Sequence, residues 1–232
     1  MNRPILSLVT GTRNREDSLW RLVYSIEDHT TVTYEVIITD AGDKPLDQTG
    51  LPLNIRVIPE RPRLGYTRGM NAALRQARGK WTLILNDDCE VLLGYAKAAV
   101  GYMERHPQIG IGALPYSNKG GPFHVNANSF DGMMYANFPI LSTELGNKIG
   151  WFDEELDLFY GSDNALGFRV MLAGFGIAEI PLACILHHEI PDFERQQNLQ
   201  RQQADAAKLR AKYEPLLPKM REAYERCRMV TV

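Results

Sequence analysis

The chain has 232 residues, 44% of them hydrophobic, which suits one domain with a full core, or one domain with an appendage. Its formal charge of −2 excludes a general polyanion binder, so no nucleic-acid partner is expected, although a local basic groove stays open. Cys89, Cys184 and Cys227 are too scattered for a metal knuckle or a disulfide framework, and no apolar run reaches the ~20 residues of a membrane span, so with no signal peptide ahead of the first strand a cytoplasmic location is expected.

"ILSLVT" (5–10) is a short apolar run ending at Gly11, the pattern of a buried strand. In the helix that follows, Leu19, Leu22, Val23 and Ile26 recur at i, i+3, i+4 and i+7 on one face. Strands are predicted at 34–40 and 53–59, then an alanine-rich helix over 65–79 closed by Gly79, and a fourth strand over 80–86. A helix over 93–106 precedes Pro107, and 109–115 reads as a fifth strand. The Gly-, Asn- and aromatic-rich stretch 116–150 reads as loops with short strands and a helix over 141–148. Ser162 reads as the N-cap of a helix over 163–174, followed by short strands in "GIAEIP" and "ACILHHE". From Pro191 the composition turns polar and helical, with Pro215 and Pro218 breaking it into two helices. The division is thus a domain over 1–190 and a helical extension over 191–232. Tyr213, Leu216, Leu217, Met220 and Tyr224 give the extension an apolar set for core packing or dimerisation, and contact with a membrane face stays open.

Strands alternating with helices imply an α/β domain with a mostly parallel sheet, whose ligands bind beyond the carboxyl ends of the strands. Three predicted strand ends carry polar groups: Thr10–Gly11–Thr12, Asp40, and Asn86–Asp87–Asp88. Two adjacent carboxylates repel each other, so the last triplet is either a solvated turn or the place where something positive sits. No GxGxxG follows the first strand, so a diphosphate would need a metal ion instead of a glycine-rich loop. Asp88 is a hard oxygen donor for Mg²⁺ or Mn²⁺. His187 and His188 end a strand, as structural hydrogen-bonders or as a ligand, imidazole suiting Mn²⁺ better than Mg²⁺. Asp163 is either a first-turn acid favoured by the helix dipole or a reactive group.

The ordered set "VIITDAGD", "RLGYTRGMNAALRQARGKWTLILNDD", "KIGWFDEEL" and "FYGSDNALGFRVMLAGFGIAEIPLACILHH" resembles the family 2 glycosyltransferases, from Ile5 to His188. The resemblance implies a GT-A fold, a Rossmann-like mostly parallel sheet with helices on both faces. It further implies inverting transfer of a sugar from a nucleotide-diphospho-sugar, best a uridine diphosphate sugar, to a carbohydrate or lipid-linked acceptor, with a divalent cation. Residue by residue, it assigns the donor nucleotide to Thr10 and Asp40. Arg68 falls near the donor and Asn71 at the helix start. Asp87 goes to ribose or donor sugar, Asp88 to the metal, His187 to the metal or diphosphate, and Asp163 to the general base. Trp151, Phe159 and Tyr160 flank that base, where aromatic faces suit sugar C–H surfaces. The chain departs from the family pattern at Asn86, at Ser162 where an acid is usual, at Ala165, and at Trp151 where a second glycine is common. Two rival readings stand beside it: a metal-dependent phosphohydrolase, and a nucleotide-sugar-binding module without turnover.

Overall fold

The computed structural model describes residues 3–127, 131–191, 196 and 199–228. Residues 192–195 and 197–198, at the start of the predicted helical extension, and residues 128–130, in the stretch predicted as loops with short strands, lie outside it. The chain runs β1 (Leu6–Thr12), α1 (Glu16–His29), β2 (Tyr34–Asp40), β3 (Ile55–Pro59), α2 (Tyr66–Leu74), β4 (Trp81–Asn86), β5 (Cys89–Val91), α3 (Tyr95–Arg105) and β6 (Ile109–Ala113). It continues through β7 (Tyr116–Asn118), β8 (Asn126–Ala127), β9 (Met134–Tyr135), β10 (Pro139–Ser142), α4 (Thr143–Ile149), α5 (Ser162–Leu172), β11 (Gly176–Glu179) and β12 (Ile185–His187). Two further helices, α6 (Gln202–Tyr213) and α7 (Leu217–Arg228), close the described chain.

Seven strands form one sheet in the order β11-β6-β10-β4-β1-β2-β3, with β5-β12-β7 as a smaller second sheet. The strands from β4 to β3 run parallel, and β10 enters antiparallel between β4 and β6. Side chains alternate between two cores, as the two-residue period of a strand requires. Leu6, Leu8, Val36, Ile38, Leu83 and Leu85 meet α1 and α3 on one face. Val9, Ile37 and Ile84 meet α2 and the α4–α7 layer on the other. Because both faces are covered, the strands carry apolar residues on both faces rather than on alternate positions, with buried polar exceptions such as Ser7, Thr10, Glu35 and Thr82.

β1 is central, with β2 on one side and β4 on the other, and the register pairs Thr12 with Asp40 and Gly11 with Asn86. The three polar strand ends are therefore side by side. The chain passes from β1 to β2 in one direction and returns to β4 on the opposite flank, so a crevice opens between the carboxyl ends of β1 and β4.

Several boundaries differ from the sequence expectation. The second helix stops at Leu74 instead of continuing to Gly79, because Glu35 Oε1 takes the Arg78 amide at 2.6 Å and Gly79 lies flat on Ser7 of β1. Residues 139–142 are a central strand and not the start of a helix. Ser142 ends that strand and caps α4, its hydroxyl accepting the Leu145 amide at 3.0 Å. Ser162 is the first residue of α5 rather than its cap, since Gly161 precedes it with φ 82°. The predicted break near Pro215 is a 3-10 turn over Glu214–Leu216. Tyr213, Met220 and Tyr224 of the last two helices are buried in the core beneath α5 and β11, while Leu216 stays 40% exposed.

Candidate active site

The crevice is the mouth of a cleft of about 550 Å³. Gly11 and Thr12 from β1, Asn86, Asp87 and Asp88 from the end of β4, and His187 from β12 form one side. Phe159, Tyr160, Gly161, Ser162 and Asp163 form the opposite side, and Gln202, Ala206, Leu209 and Arg210 of α6 border it.

Asp87 and Asp88 are both buried and sit in one small volume. The positive group the sequence called for is Arg15, whose guanidinium lies 3.2 Å from Asp87 Oδ1 and 3.9 Å from Asp88 Oδ2. Thr12 Oγ1 donates to Asp87 Oδ2 at 2.8 Å, and Ser18 Oγ donates to the Asp87 carbonyl at 2.8 Å. Burial still dominates at Asp87 and, despite Arg15, pushes its carboxyl up to about 6, with the Asp88 charge adding to the shift. Asp88 goes the other way. Burial alone would raise it, but the hydrogen bond and charge of His187, together with Arg15, hold it below the ordinary carboxylate value.

His187 Nε2 lies 3.2 Å from Asp88 Oδ1, and its Nδ1 is 2.8 Å from Asn118 Oδ1. Nε2 donates to Asp88 in the absence of a ligand, and with Asn118 accepting the Nδ1 proton a cation that displaced the Nε2 proton would find the ring oriented for ligation beside the Asp88 carboxylate. A carboxylate oxygen and an imidazole nitrogen fit Mn²⁺ or Mg²⁺ as two of its donors, imidazole favouring Mn²⁺. Among the described residues no cluster of three or more His, Cys, Asp or Glu side chains surrounds such an ion, so donors from a bound ligand and water would complete the shell. His188, one residue on, pairs with Glu90 at 2.7 Å and does not line the cleft.

Among the described residues, four carboxylates line the cleft: Glu60, Asp87, Asp88 and Asp163. Glu60 Oε1 accepts the Leu64 and Gly65 amides at 2.5 and 2.8 Å, so it serves the loop before α2. Burial alone, with no hydrogen bond or ion pair among the described residues to offset it, pushes the Asp163 carboxyl up to about 7. Other nearby acids are engaged elsewhere. Asp153 is buried against Lys212 at 2.8 Å and the Tyr213 hydroxyl at 2.6 Å, and Glu154 takes the Asn71 amide at 2.8 Å. The same Asn71 holds both backbone groups of Phe152, stapling α2 to the 152–154 segment instead of ordering the start of its own helix.

Phe159 and Tyr160 face the cleft, and Tyr66 packs edge-on against Phe159 with centroids 5.3 Å apart. Trp151 does not join them. It is fully buried, its indole lying over Gly146, where even a Cβ would come within 2.3 Å of the ring. Trp151 holds φ 60°, a backbone that favours glycine, and its Nε1 donates to Asn147 Oδ1 at 2.9 Å.

The remaining sequence candidates lie close to the cleft rather than in its wall. Thr10 is buried with an unpartnered hydroxyl, and the adjacent Gly11 and Thr12 line the cleft. Asp40 is 2% exposed, and its carboxylate takes the Gly42 amide at 2.9 Å, the Leu46 amide at 3.1 Å and Arg61 at 3.1 Å, while Thr39 and Ala41 on either side line the cleft. Arg68 is on the exposed face of α2, outside the lining, and the cations that border the cleft are Arg13, Arg15, Arg63 and Arg210. The two basic residues just after the first strand were a readable signal. Arg210, on a polar helix far down the chain, carried none.

The model of the family described as "Glycosyl transferase family 2" matches residues 7–173. An "Uncharacterized glycosyltransferase" of Haemophilus influenzae is 26% identical over 155 residues, covering 63% of this chain and 50% of that protein. The chain spans a quarter to a half of the length of the curated relatives it matches. Among solved structures, the mannosyltransferase PcManGT from Pyrobaculum calidifontis in complex with GDP-Man and Mn²⁺ superposes with a TM-score of 0.64 at 16% identity, over 96% of this chain and 74% of that one. GalNAc-T7 with UDP, GalNAc and Mn²⁺ gives a TM-score of 0.67 at 14% identity, over 80% of this chain and 43% of that one. At such identities the likeness shows a common fold.

Proposed function

Since the chain belongs to glycosyl transferase family 2 and has its GT-A fold, we propose that it transfers a sugar from a nucleotide-diphospho-sugar to an acceptor hydroxyl with inversion, using Asp163 as general base. The observation that carries this reading is one cleft with two unlike carboxylate sites. On one side Asp88 is held low by its contact with His187, and on the other Asp163, with no hydrogen bond or ion pair among the described residues, is raised to about 7. Carboxyl groups in environments that push their proton affinities apart mark acid–base assignments.

The nucleotide would lie along the carboxyl ends of β1 and β2, where Thr12, Thr39 and Ala41 face the cleft and Asp40 holds the backbone beneath them. Arg15 and Arg63 bring positive charge for the diphosphate. Asp88 and His187 would hold a divalent cation, which supplies stabilisation for charge on the leaving diphosphate. Asp87, held by Arg15 and Thr12, accepts hydrogen bonds from sugar hydroxyls. Asp163 takes the proton of the acceptor hydroxyl as that oxygen attacks the anomeric carbon, so its elevated proton affinity suits a base working near neutrality. Phe159 and Tyr160 offer faces to the acceptor sugar, a carbohydrate or lipid-linked glycan. UDP and GDP-mannose occupy the two structural relatives, and a UDP-sugar is the donor we favour. Three free cysteines suit a cytoplasmic setting, and among the described residues no helix is long and apolar enough to cross a membrane.

The test is a thermal-shift panel of nucleotides and nucleotide-sugars with and without Mn²⁺. A ligand that binds only the native state raises its apparent stability, so one nucleotide class should stabilise the protein and do so more strongly with Mn²⁺. No stabilisation by any nucleotide-sugar would refute the reading. The rival phosphohydrolase reading is weaker, because two-metal sites need several converging carboxylates, and with Asp87 taken up by Arg15 and Thr12, Asp88 is left with one histidine.

A further inference from the structure

The turn that delivers Asp163 has no regular structure of its own. Asp157 and Gly161 both hold positive φ, 47° and 82°, so residues 157–161 form no ladder that could satisfy their amides. The amides of Phe159 and Tyr160 are satisfied from far away. One oxygen, Asp205 Oδ2 in the first turn of α6, accepts both at 3.1 Å. Asp205 is 1% exposed. The Phe159 carbonyl is held from the other side by the Ser162 hydroxyl at 3.2 Å. The peptide unit just before α5 is thus clamped at its amide and at its carbonyl, and Ser162, the departure from the family pattern, supplies half of the clamp. The rest of α6 is tied to the same segment. Arg201, just before the helix, donates to the Asp157 carbonyl at 2.8 Å, and Tyr213 holds Asp153. Leu209 packs 3.2 Å from where a Cβ on Gly161 would sit, so the helix lies directly on the turn.

We propose that Asp205 is a positioning residue for the transfer reaction, fixing the 159–161 turn through its backbone so that Asp163 is held dry and aimed into the cleft. The inference rests on Asp163 being the base, and it makes α6 a working part of the active site instead of an added pack of helix. A buried carboxylate taking two backbone amides is a strong, short-range constraint. Without it the two amides turn to water, the turn hydrates, and the carboxyl two residues on loses the burial that raises it. Tyr66, Tyr135, Asp87, Asp88, His187 and Arg210 line the same cleft as Asp163, and Tyr116 of β7 lies within range of its charge. None of these is changed by substitution at Asp205.

The test follows the Asp163 carboxyl by ¹³C NMR titration in wild type, Asp205→Asn and Asp205→Ala, together with hydrogen exchange at the Phe159 and Tyr160 amides. We expect a wild-type midpoint of about 7. It should fall by about one pH unit or more in Asp205→Ala and by less in Asp205→Asn, whose amide oxygen still accepts, with amide exchange rising in the same order. Nucleoside diphosphate release from the nucleotide-sugar the wild type turns over should fall about 10–100-fold in Asp205→Ala, with donor affinity kept. Tyr213→Phe serves as the control, loosening α6 without touching the turn, and should leave the midpoint in place. An Asp163 midpoint unmoved in both Asp205 variants overturns the inference while leaving the base assignment standing. If Asp205→Ala does not fold, Asp205→Asn alone decides between a shifted and an unshifted midpoint. A wild-type midpoint in the ordinary carboxylate range removes the base reading first, and this inference with it.

Discussion

Replacing Asp163 by Asn separates catalysis from binding and stability in one residue. The substitution keeps the size of the side chain and removes its charge and its basicity. Raising a carboxyl from 3.8 to about 7 disfavours the ionised form by about 4 kcal/mol, at 1.36 kcal/mol per tenfold. The helix dipole opposes it by only about 0.3–1 kcal/mol at a first-turn acid, so burial wins. The native state therefore binds the extra proton, and the wild type loses stability as pH rises from about 4 to about 7. Asp163→Asn abolishes that dependence. Its melting temperature should equal wild type near pH 4 and exceed it by roughly 8–16 °C at pH 8, given about 2–4 °C per kcal/mol for a chain of this size. Donor affinity by calorimetry should survive, while transfer falls by about 10²–10⁴-fold. A melting-temperature difference flat across pH would refute the buried-charge reasoning. Transfer near the wild-type rate would remove Asp163 as the base, and no neighbour stands ready to replace it, since Asp153 and Glu154 are both paired away from the cleft.

Asp88→Ala should leave nucleotide affinity without metal nearly intact and erase its enhancement by Mn²⁺, and unchanged metal-dependent affinity in calorimetry would void the assignment. Asp40→Ala should weaken nucleotide binding with or without metal. Because its carboxylate holds two amides and Arg61, it should also lower stability by about 2–4 kcal/mol in urea titration; wild-type stability would show that those bonds are dispensable. Trp151→Gly relieves a left-handed backbone worth about 1–3 kcal/mol but empties a core site worth about 3–5 kcal/mol. A net destabilisation is expected, and a more stable variant would show that strain outweighs packing.

The crevice was legible because polar residues at three strand ends can converge only if those strands are neighbours, and β1 lies between the other two. The Asp pair was legible as a charge problem, and Arg15 is the part of the answer that lay three residues beyond the first strand. Strand β10 was not, because four residues from Pro139 to Ser142 carry no periodicity, and their central place is decided by pairing with β4 and β6. Trp151 offered an aromatic beside the base, yet a ring that fits over Gly146 is worth more buried than exposed. The polar composition from Pro191 suggested a helical extension, packed on the domain or paired between chains. Its apolar set, Tyr213 included, marked the packing, but the buried Asp205 shows that a polar helix can be bound to a site through a desolvated group that no hydrophobic pattern reveals.

The central claim is transfer of a sugar from a nucleotide-diphospho-sugar. It is met most directly by incubating the protein with the nucleotide-sugar that stabilises it, Mn²⁺ and a panel of sugar and lipid-linked acceptors, and following the products by NMR. The account predicts nucleoside diphosphate released only when an acceptor is present, in equal amount with a new glycoside whose anomeric configuration is opposite to that of the donor. Phosphoester cleavage that needs no acceptor, or a product retaining the donor configuration, would contradict it.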